Sequence, residues 1–174
     1  MIRRIVLTMF SLVLVLSIAG CSSGDSKDHS GSQIQNTGEA QADKYEFVYK
    51  GTTITMKAKA GPILEAIGEH NAYYEAPSCA FEGLDKTYSY SGFDVVTYTL
   101  NGVDYINSVV LMDDTISTPE GIAIGSNVEA IKSAYEEASA YSGPSYTIEQ
   151  KDTILLILTD NAVATSIQYI AITE

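Results

Sequence analysis

The chain has 174 residues, of which 22 are Asp or Glu and 10 are Lys or Arg, so its formal net charge is −12 at pH 7. This excess of negative charge repels phosphate backbones and argues against nucleic-acid binding. The two cysteines are too few for a disulfide framework, so a folded domain has to be held together by its hydrophobic core.

The N-terminus has the order of an export signal. Arg3 and Arg4 precede an apolar run over residues 5–19, which leads into Gly20 and Cys21. A helix over this run would be about 22 Å long, shorter than the bilayer hydrocarbon core of about 30 Å. We therefore interpret residues 1–20 as a signal peptide rather than a membrane-spanning helix.

The small residues before Cys21 resemble the lipobox of bacterial lipoproteins, although Ile18 stands where Leu is commonest. This resemblance implies cleavage after Gly20 and a diacylglyceryl group on Cys21. The protein would then be anchored in the lipid bilayer of the cell membrane, on its extracytoplasmic face, because two acyl chains give a stable anchor. The alternative is an ordinary secreted protein that is cut near Ala19.

Residues 21–44 are rich in Ser, Gly, Gln and Asp. Such a segment buries too little apolar surface to offset the entropy lost on ordering. The composition predicts a flexible tether with a mean span of roughly 25 Å between the lipid and a domain.

A first structural unit is predicted over residues 45–114. Two β-rich runs, 45–50 and 52–57, indicate a hairpin around Gly51, and Gly61-Pro62 begins a short helix that Gly68 ends. After a long loop over residues 69–84, strands are predicted at 86–90, 93–100 and 103–112. Asn101-Gly102 lies between the last two, and this dipeptide is typical of a tight β-hairpin turn.

A second unit is predicted over residues 115–174. Ser126 and Glu129 have the spacing of a capping box before a helix. Strands follow at 145–150, 153–159 and 162–172. The same order of helix and strands in both units predicts an α+β fold made of two tandem repeats, each a helix packed on an antiparallel sheet.

This plan resembles the tandem-repeat fold of the β-lactamase-inhibitor proteins and of small outer-membrane lipoproteins of the SmpA/OmlA type. The residues that carry the resemblance are the run 121–126 and the helix positions Val128, Ile131 and Tyr135. The stretch 76–83 is also similar to acidic clostridial-type lipoproteins of unknown role. The inhibitor proteins have a disulfide in each repeat, which this chain cannot form, and a shared fold does not bring a function with it.

Few residues suggest chemistry. His70 and Cys79 are the types of a nucleophile and its base, but no orienting residue is evident, and we interpret Cys79 as a small buried hydrophobe. The acidic residues lack the spacing of a calcium loop, and no zinc set or phosphate-binding glycine loop is present. We therefore predict no catalytic residue, no metal and no cofactor.

The chain has 12 Tyr, 4 Phe and no Trp. Tyrosine is enriched where proteins bind proteins, although it also forms strands well. The candidate interaction residues lie in the 69–84 loop and on the predicted strands: Tyr73, Tyr74, Phe81, Tyr88, Tyr90, Tyr98, Tyr105 and Tyr169.

These features predict a lipid-anchored binding module that is not an enzyme. Its partner would be an extracellular or cell-envelope protein, held by the open sheet face or by the 69–84 loop. The alternatives are a structural brace in envelope assembly and, more weakly, an enzyme that uses Cys79.

Overall fold

The computed structural model describes residues 45–79, 82–135 and 139–172; for residues 139–141 it describes the backbone alone. The predictions for the leader, the tether, Cys21 and Phe81 lie outside the described residues. In chain order the elements are β1 Phe47–Tyr49, β2 Thr52–Ile54, α1 Ala60–Ile67, β3 Ala72–Pro77, β4 Leu84–Ser89, β5 Phe93–Leu100, β6 Val103–Leu111, α2 Val128–Ala134, β7 Ser139–Ser142, β8 Ser145–Gln150, β9 Thr153–Asp160 and β10 Val163–Ala171.

One antiparallel sheet dominates the described fold. Its eight strands lie in the order β3-β4-β5-β6-β10-β9-β8-β7, and β1 and β2 form a separate hairpin. The two helices have only 8 and 7 residues. The prediction of an α+β fold made of two helix-plus-sheet repeats is therefore wrong, since the molecule is a β-rich fold built on a single continuous sheet.

Two segments that were predicted as loops account for part of this difference. Ala72–Pro77 pairs along its whole length with β4, and Ser139–Ser142 pairs with β8. Neither segment has an alternation of apolar and polar residues in its sequence. Each is extended because a neighbouring strand supplies its hydrogen-bond partners, and such tertiary context commonly overrides local propensity.

The tight turns follow their local sequence. Asn101 and Gly102 have φ values of 51° and 75°, the left-handed conformation that a two-residue hairpin turn of type I′ needs at both central positions. The predicted turn between β5 and β6 is confirmed. Asn161 and Ala162 adopt the same conformation between β9 and β10.

The end of α1 agrees with the sequence, but the start of α1 and the cap of α2 do not, since α1 begins at Ala60, two residues before Pro62. Gly68 ends α1 with a φ of 91°, as predicted. The cap of α2 is Asn127 and not Ser126: the Asn127 side chain accepts a hydrogen bond from Ala130 N at 2.8 Å. Ser126 Oγ accepts instead from Ala123 N at 3.0 Å, within the turn that precedes the helix.

The chain segments before the two helices are hydrogen-bonded to the sheet. Lys57 N donates to Ile106 O (2.8 Å) in β6, and Gly125 N donates to Ala164 O (2.8 Å) in β10. These bonds use parts of β6 and β10 that do not pair with each other, since their mutual pairing covers only Ser108–Leu111 and Ile167–Ile170. Each helix is thereby held against the same side of the sheet.

That side, which we call the inner face, forms the core. Alternate residues of the strands pack there against the β1–β2 hairpin and both helices, whose buried residues include Phe47, Ile54, Ile67 and Ile131. The fully or almost fully buried strand residues of the inner face are Phe93, Val95, Ile106, Val109, Leu111, Ile148, Leu155, Ile157, Ile167 and Tyr169.

Candidate functional site

The opposite side of the sheet, the outer face, carries the remaining alternate residues of each strand. Strand register defines a row across it that joins Thr87, Val96, Ser108, Ile170 and Ile154. None of the five belongs to the core cluster of the described residues, and all are half-buried. The described helices and the β1–β2 hairpin pack on the opposite, inner face.

A second row gives the outer face further apolar surface. It joins Ser89, Asp94, Val110, Gln168 and Leu156. Toward the turns, Leu100 and Leu158 are exposed at 45% and 37% of their surface. The outer face thus combines aliphatic side chains with small and polar ones, a composition suited to contact with another surface.

Two candidate tyrosines stack on the outer face. Tyr98 and Tyr105 lie opposite each other on β5 and β6, with ring centroids 5.7 Å apart and an interplanar angle of 28°. On β4, the other neighbour of β5, Asp85 is directly opposite Tyr98. Tyr98 is only 8% exposed, so Tyr105, which is half-buried, presents more of this pair to a partner.

The other candidate tyrosines fall into three groups. Tyr74 is on the outer face of edge strand β3 and is 67% exposed, whereas Tyr73 and Tyr88 are opposite each other on the inner face. Tyr90 and Tyr169 are core residues, at 8% and 0% exposure. Both belong to the core cluster and therefore offer little surface to a partner of the folded protein.

Strand register places the candidate strand tyrosines on different faces of the sheet. Tyr88 is paired with Val95, whereas Tyr98 is paired with Asp85. Val95 belongs to the core, and Tyr88 therefore points to the inner face while Tyr98 points to the outer face. Periodicity within each strand could not reveal this, because it does not say how neighbouring strands are aligned.

The electrostatics of the outer face are one-sided. Asp85, Asp94 and Glu149 occupy outer-face positions, and Asp160 ends β9 on the same side. No Lys or Arg stands at an outer-face position of the described strands. The acids border the apolar rows on both the β4–β5 side and the β8–β9 side.

A polar and aromatic cluster lies where the inner face reaches the β3 edge. The His70 ring is 5.3 Å from that of Tyr88 and 6.0 Å from that of Tyr73, measured between centroids. The Tyr73 hydroxyl donates a hydrogen bond to Glu75 Oε2. This bond to a carboxylate raises the pKa of Tyr73 to about 12.

The lysine of this cluster is neutralised within the fold. Lys86 Nζ lies 2.7 Å from Asp104 Oδ2, and Thr99 donates to Asp104 Oδ1 at 2.6 Å. Partial burial disfavours the charged carboxylate, but the hydrogen bonds from Lys86 and Thr99 outweigh it and hold the pKa of Asp104 below its usual value. Lys86 is therefore not available to the outer face.

The geometry argues against the weaker alternative, in which His70 serves as a base for Cys79. The six residues of β3 lie between them, and an extended strand of that length spans about 20 Å. Cys79 is exposed, so its interpretation as a buried hydrophobe is wrong. Among the described residues no three His, Cys, Asp or Glu side chains are placed to hold a metal ion.

The Tyr135 hydroxyl forms a buried polar cluster at the C-terminal end of α2. The Tyr135 hydroxyl is 2.7 Å from Thr118 Oγ1 and 3.0 Å from Glu120 Oε2. A carboxylate only accepts, so Tyr135 donates to Glu120 and its oxygen accepts from Thr118. Burial raises the pKa of Tyr135 and of nearby Tyr169, and both stay protonated at physiological pH.

Two depressions in the described surface have volumes of about 240 and 410 Å³. Neither contains His70 or Cys79. The first lies beside Tyr45 and Asp152, and the second between α2 and the β9–β10 turn. Over the described part of the chain, no helix combines the length and the apolar character needed to cross a bilayer.

Comparison with known proteins finds no matching family model, no similar curated protein and no similar solved structure. The resemblance to inhibitor-type and outer-membrane lipoproteins therefore stays a prediction. The functional argument has to come from the site itself.

Proposed function

We propose that the protein is a lipid-anchored binding module on the extracytoplasmic face of the cell membrane. Its contact surface is the outer face of the sheet, and it acts by binding a protein of the envelope or of the cell's surroundings rather than by catalysis. The observation that carries this proposal is the outer face, which neither the two described helices nor the β1–β2 hairpin covers and which carries aliphatic side chains among small and polar ones. The anchor rests on the sequence around Cys21.

The size of the outer face supports this role. Eight strands about 4.8 Å apart give a width of about 34 Å, and six residues per strand give a length of about 20 Å. The resulting area of about 700 Å² is close to the roughly 800 Å² that each partner buries in a stable protein–protein interface. One face of this sheet is therefore sufficient for a specific complex.

The arrangement of the one described histidine and the one described cysteine supports binding over catalysis. His70 and Cys79 lie at opposite ends of β3. The enzyme hypothesis needs the nucleophile and its base within hydrogen-bond reach of each other.

Site-specific photo-cross-linking in the native host tests the proposal. The full chain, with its own leader, carries p-benzoylphenylalanine at Val96, Leu156 or Ile170, one position at a time. We expect a discrete adduct with the same protein from all three positions, because they lie on one face. The matched control places the same group at Glu65, an exposed position of α1 on the other side of the sheet.

Adducts from Glu65 and from the outer-face positions in equal yield would contradict a specific contact surface. The anchor is tested on the same material by mass spectrometry. A mature N-terminus at Cys21 without an acyl modification would remove the lipid from the proposal and leave the contact surface to be judged by the cross-links.

A further inference from the structure

We infer that the partner of the outer face presents an apolar strip bordered by lysine or arginine side chains. This inference rests on the proposed function and names the chemistry of the partner. It follows from where the charged residues lie on the two faces of the sheet.

The outer-face acids sit against the apolar rows. Glu149 is directly opposite Ile154, and Asp94 is directly opposite Val110. Asp85 is opposite Tyr98 in the stacked tyrosine pair. A partner that covers the apolar side chains must therefore also cover, or closely approach, three carboxylates.

These carboxylates have no counter-charge from the described residues. Asp85, Asp94 and Glu149 make no ion pair in the described part of the chain. The lysine closest in sequence to Asp85 is Lys86, which faces inward to Asp104. Lys57 is likewise engaged, 2.9 Å from Asp152 at the β8–β9 turn.

A purely apolar partner would remove water from these carboxylates without replacing the lost hydrogen bonds, which is costly. A partner with basic side chains at the border replaces the lost hydration with ion pairs and is steered toward the face before contact. A second copy of this chain is disfavoured, because it would bring the same acids face to face. An anionic bilayer surface is disfavoured for the same reason.

Three matched synthetic peptides test the inference with the lipidated full chain in nonionic detergent. The first alternates Lys with Ile and Tyr, the second has Glu in place of each Lys, and the third has Ser in place of each Ile and Tyr. Fluorescence anisotropy measures binding at low and high salt. We expect the first peptide to bind at least tenfold more tightly than either of the others, with an affinity that falls as salt rises.

A charge-neutral variant locates the binding. Combining Asp85→Asn, Asp94→Asn and Glu149→Gln removes the three negative charges that the lysines of the first peptide would pair with, while it keeps side-chain size. The expected loss of affinity for the first peptide is about tenfold. Circular dichroism and the urea midpoint show that the variant is folded.

The matched control removes the same charge elsewhere. Glu65→Gln, Glu69→Gln and Glu129→Gln change exposed residues that are not on the outer face, and we expect affinity to stay within twofold. Equal losses in both variants, or equal binding of the Lys and Glu peptides, would overturn the inference.

The cross-linking experiment separates this inference from the proposed function. Outer-face adducts that form in unchanged yield in the charge-neutral variant would mean that the face binds a partner that is not cationic. In that case the inference fails and the proposed function stands. Absence of outer-face adducts in the unaltered chain would remove the proposed function itself.

Discussion

Two buried tyrosines in the same part of the core should respond in opposite ways to loss of the hydroxyl group. Tyr135 and Tyr169 are both 0% exposed. The Tyr135 hydroxyl is bonded to Thr118 and Glu120 at 2.7 and 3.0 Å. The Tyr169 hydroxyl is near Thr118 as well, but Thr118 is already bonded to Tyr135 and Ile122, and Tyr169 makes no hydrogen bond of its own within 3.5 Å among the described residues. Tyr135→Phe and Tyr169→Phe delete the same atom from two different environments.

The magnitudes follow from these contacts. Tyr135→Phe loses one hydrogen bond to a neutral hydroxyl, worth about 1 kcal/mol, and one to a carboxylate, worth about 1.5 kcal/mol or more. Glu120 is half-buried and can regain water, and Thr118 Oγ1 still accepts from Ile122 N at 3.2 Å. We expect a net loss of about 2 kcal/mol. Tyr169→Phe removes an unpaired buried hydroxyl and should leave stability unchanged or raise it by up to about 1 kcal/mol.

Urea unfolding measures both changes. With a slope of about 2 kcal/mol per M for a domain of this size, Tyr135→Phe lowers the midpoint by about 1 M, and the slope itself stays constant. The midpoint for Tyr169→Phe should equal or exceed that of the unaltered protein. Equal losses in the two variants would show that Tyr169 is bonded in the folded protein, and the reasoning would fail.

Three further outcomes are expected. Gly92→Ala places a Cβ 2.6 Å from two side-chain atoms, at a φ of +86°. Gly102→Ala has a similar φ of +75°, but its Cβ meets nothing within 4 Å. Thermal unfolding should therefore show a larger loss of stability for Gly92→Ala. Asn127→Ala should cost about 1 kcal/mol in urea unfolding, since it removes the α2 cap, and a loss close to zero would contradict that role. In an absorbance titration at alkaline pH, Glu75→Gln should return the pKa of Tyr73 from about 12 toward 10. The hydrogen bond from Tyr73 to Glu75 raises the pKa of Tyr73 in the folded state. Its contribution to folding stability is therefore complete below the pKa of tyrosine in the unfolded chain, about 10, and is lost as pH rises through about 12.

The sequence was most informative where local chemistry decides the structure. Ser145–Gln150 was predicted to the residue, as was Phe93–Leu100, because alternating apolar residues and left-handed turn residues identify these strands without help from the rest of the fold. Gly68 was likewise predicted from local chemistry, because glycine readily adopts the positive φ that ends a helix.

The edge strands show where local chemistry was not enough. Ala72–Pro77 has no alternation of apolar and polar residues that distinguishes it from a loop. Only its pairing with β4 makes it a strand. Whereas the pairing of β6 with β10 joins the two predicted units into one continuous sheet, the β3–β4 pairing adds an edge strand to it. It also placed His70 and Cys79 at opposite ends of an extended segment, which no sequence spacing alone could establish.

The candidate site depended even more on tertiary structure. Period-2 alternation in a strand shows which residues share a side, but it does not show which side the helices will cover. The sequence by itself determined most strands, their turns, the tyrosine content and the acidic character of the chain. Cross-strand register and helix packing alone decided that Tyr169 is buried, that Tyr88 and Tyr98 face apart, and that Asp85, Asp94 and Glu149 lie beside the aliphatic side chains of the outer face. These outcomes depend on contacts between residues that are distant in the chain, whereas propensity and turn chemistry act only over a few neighbouring residues.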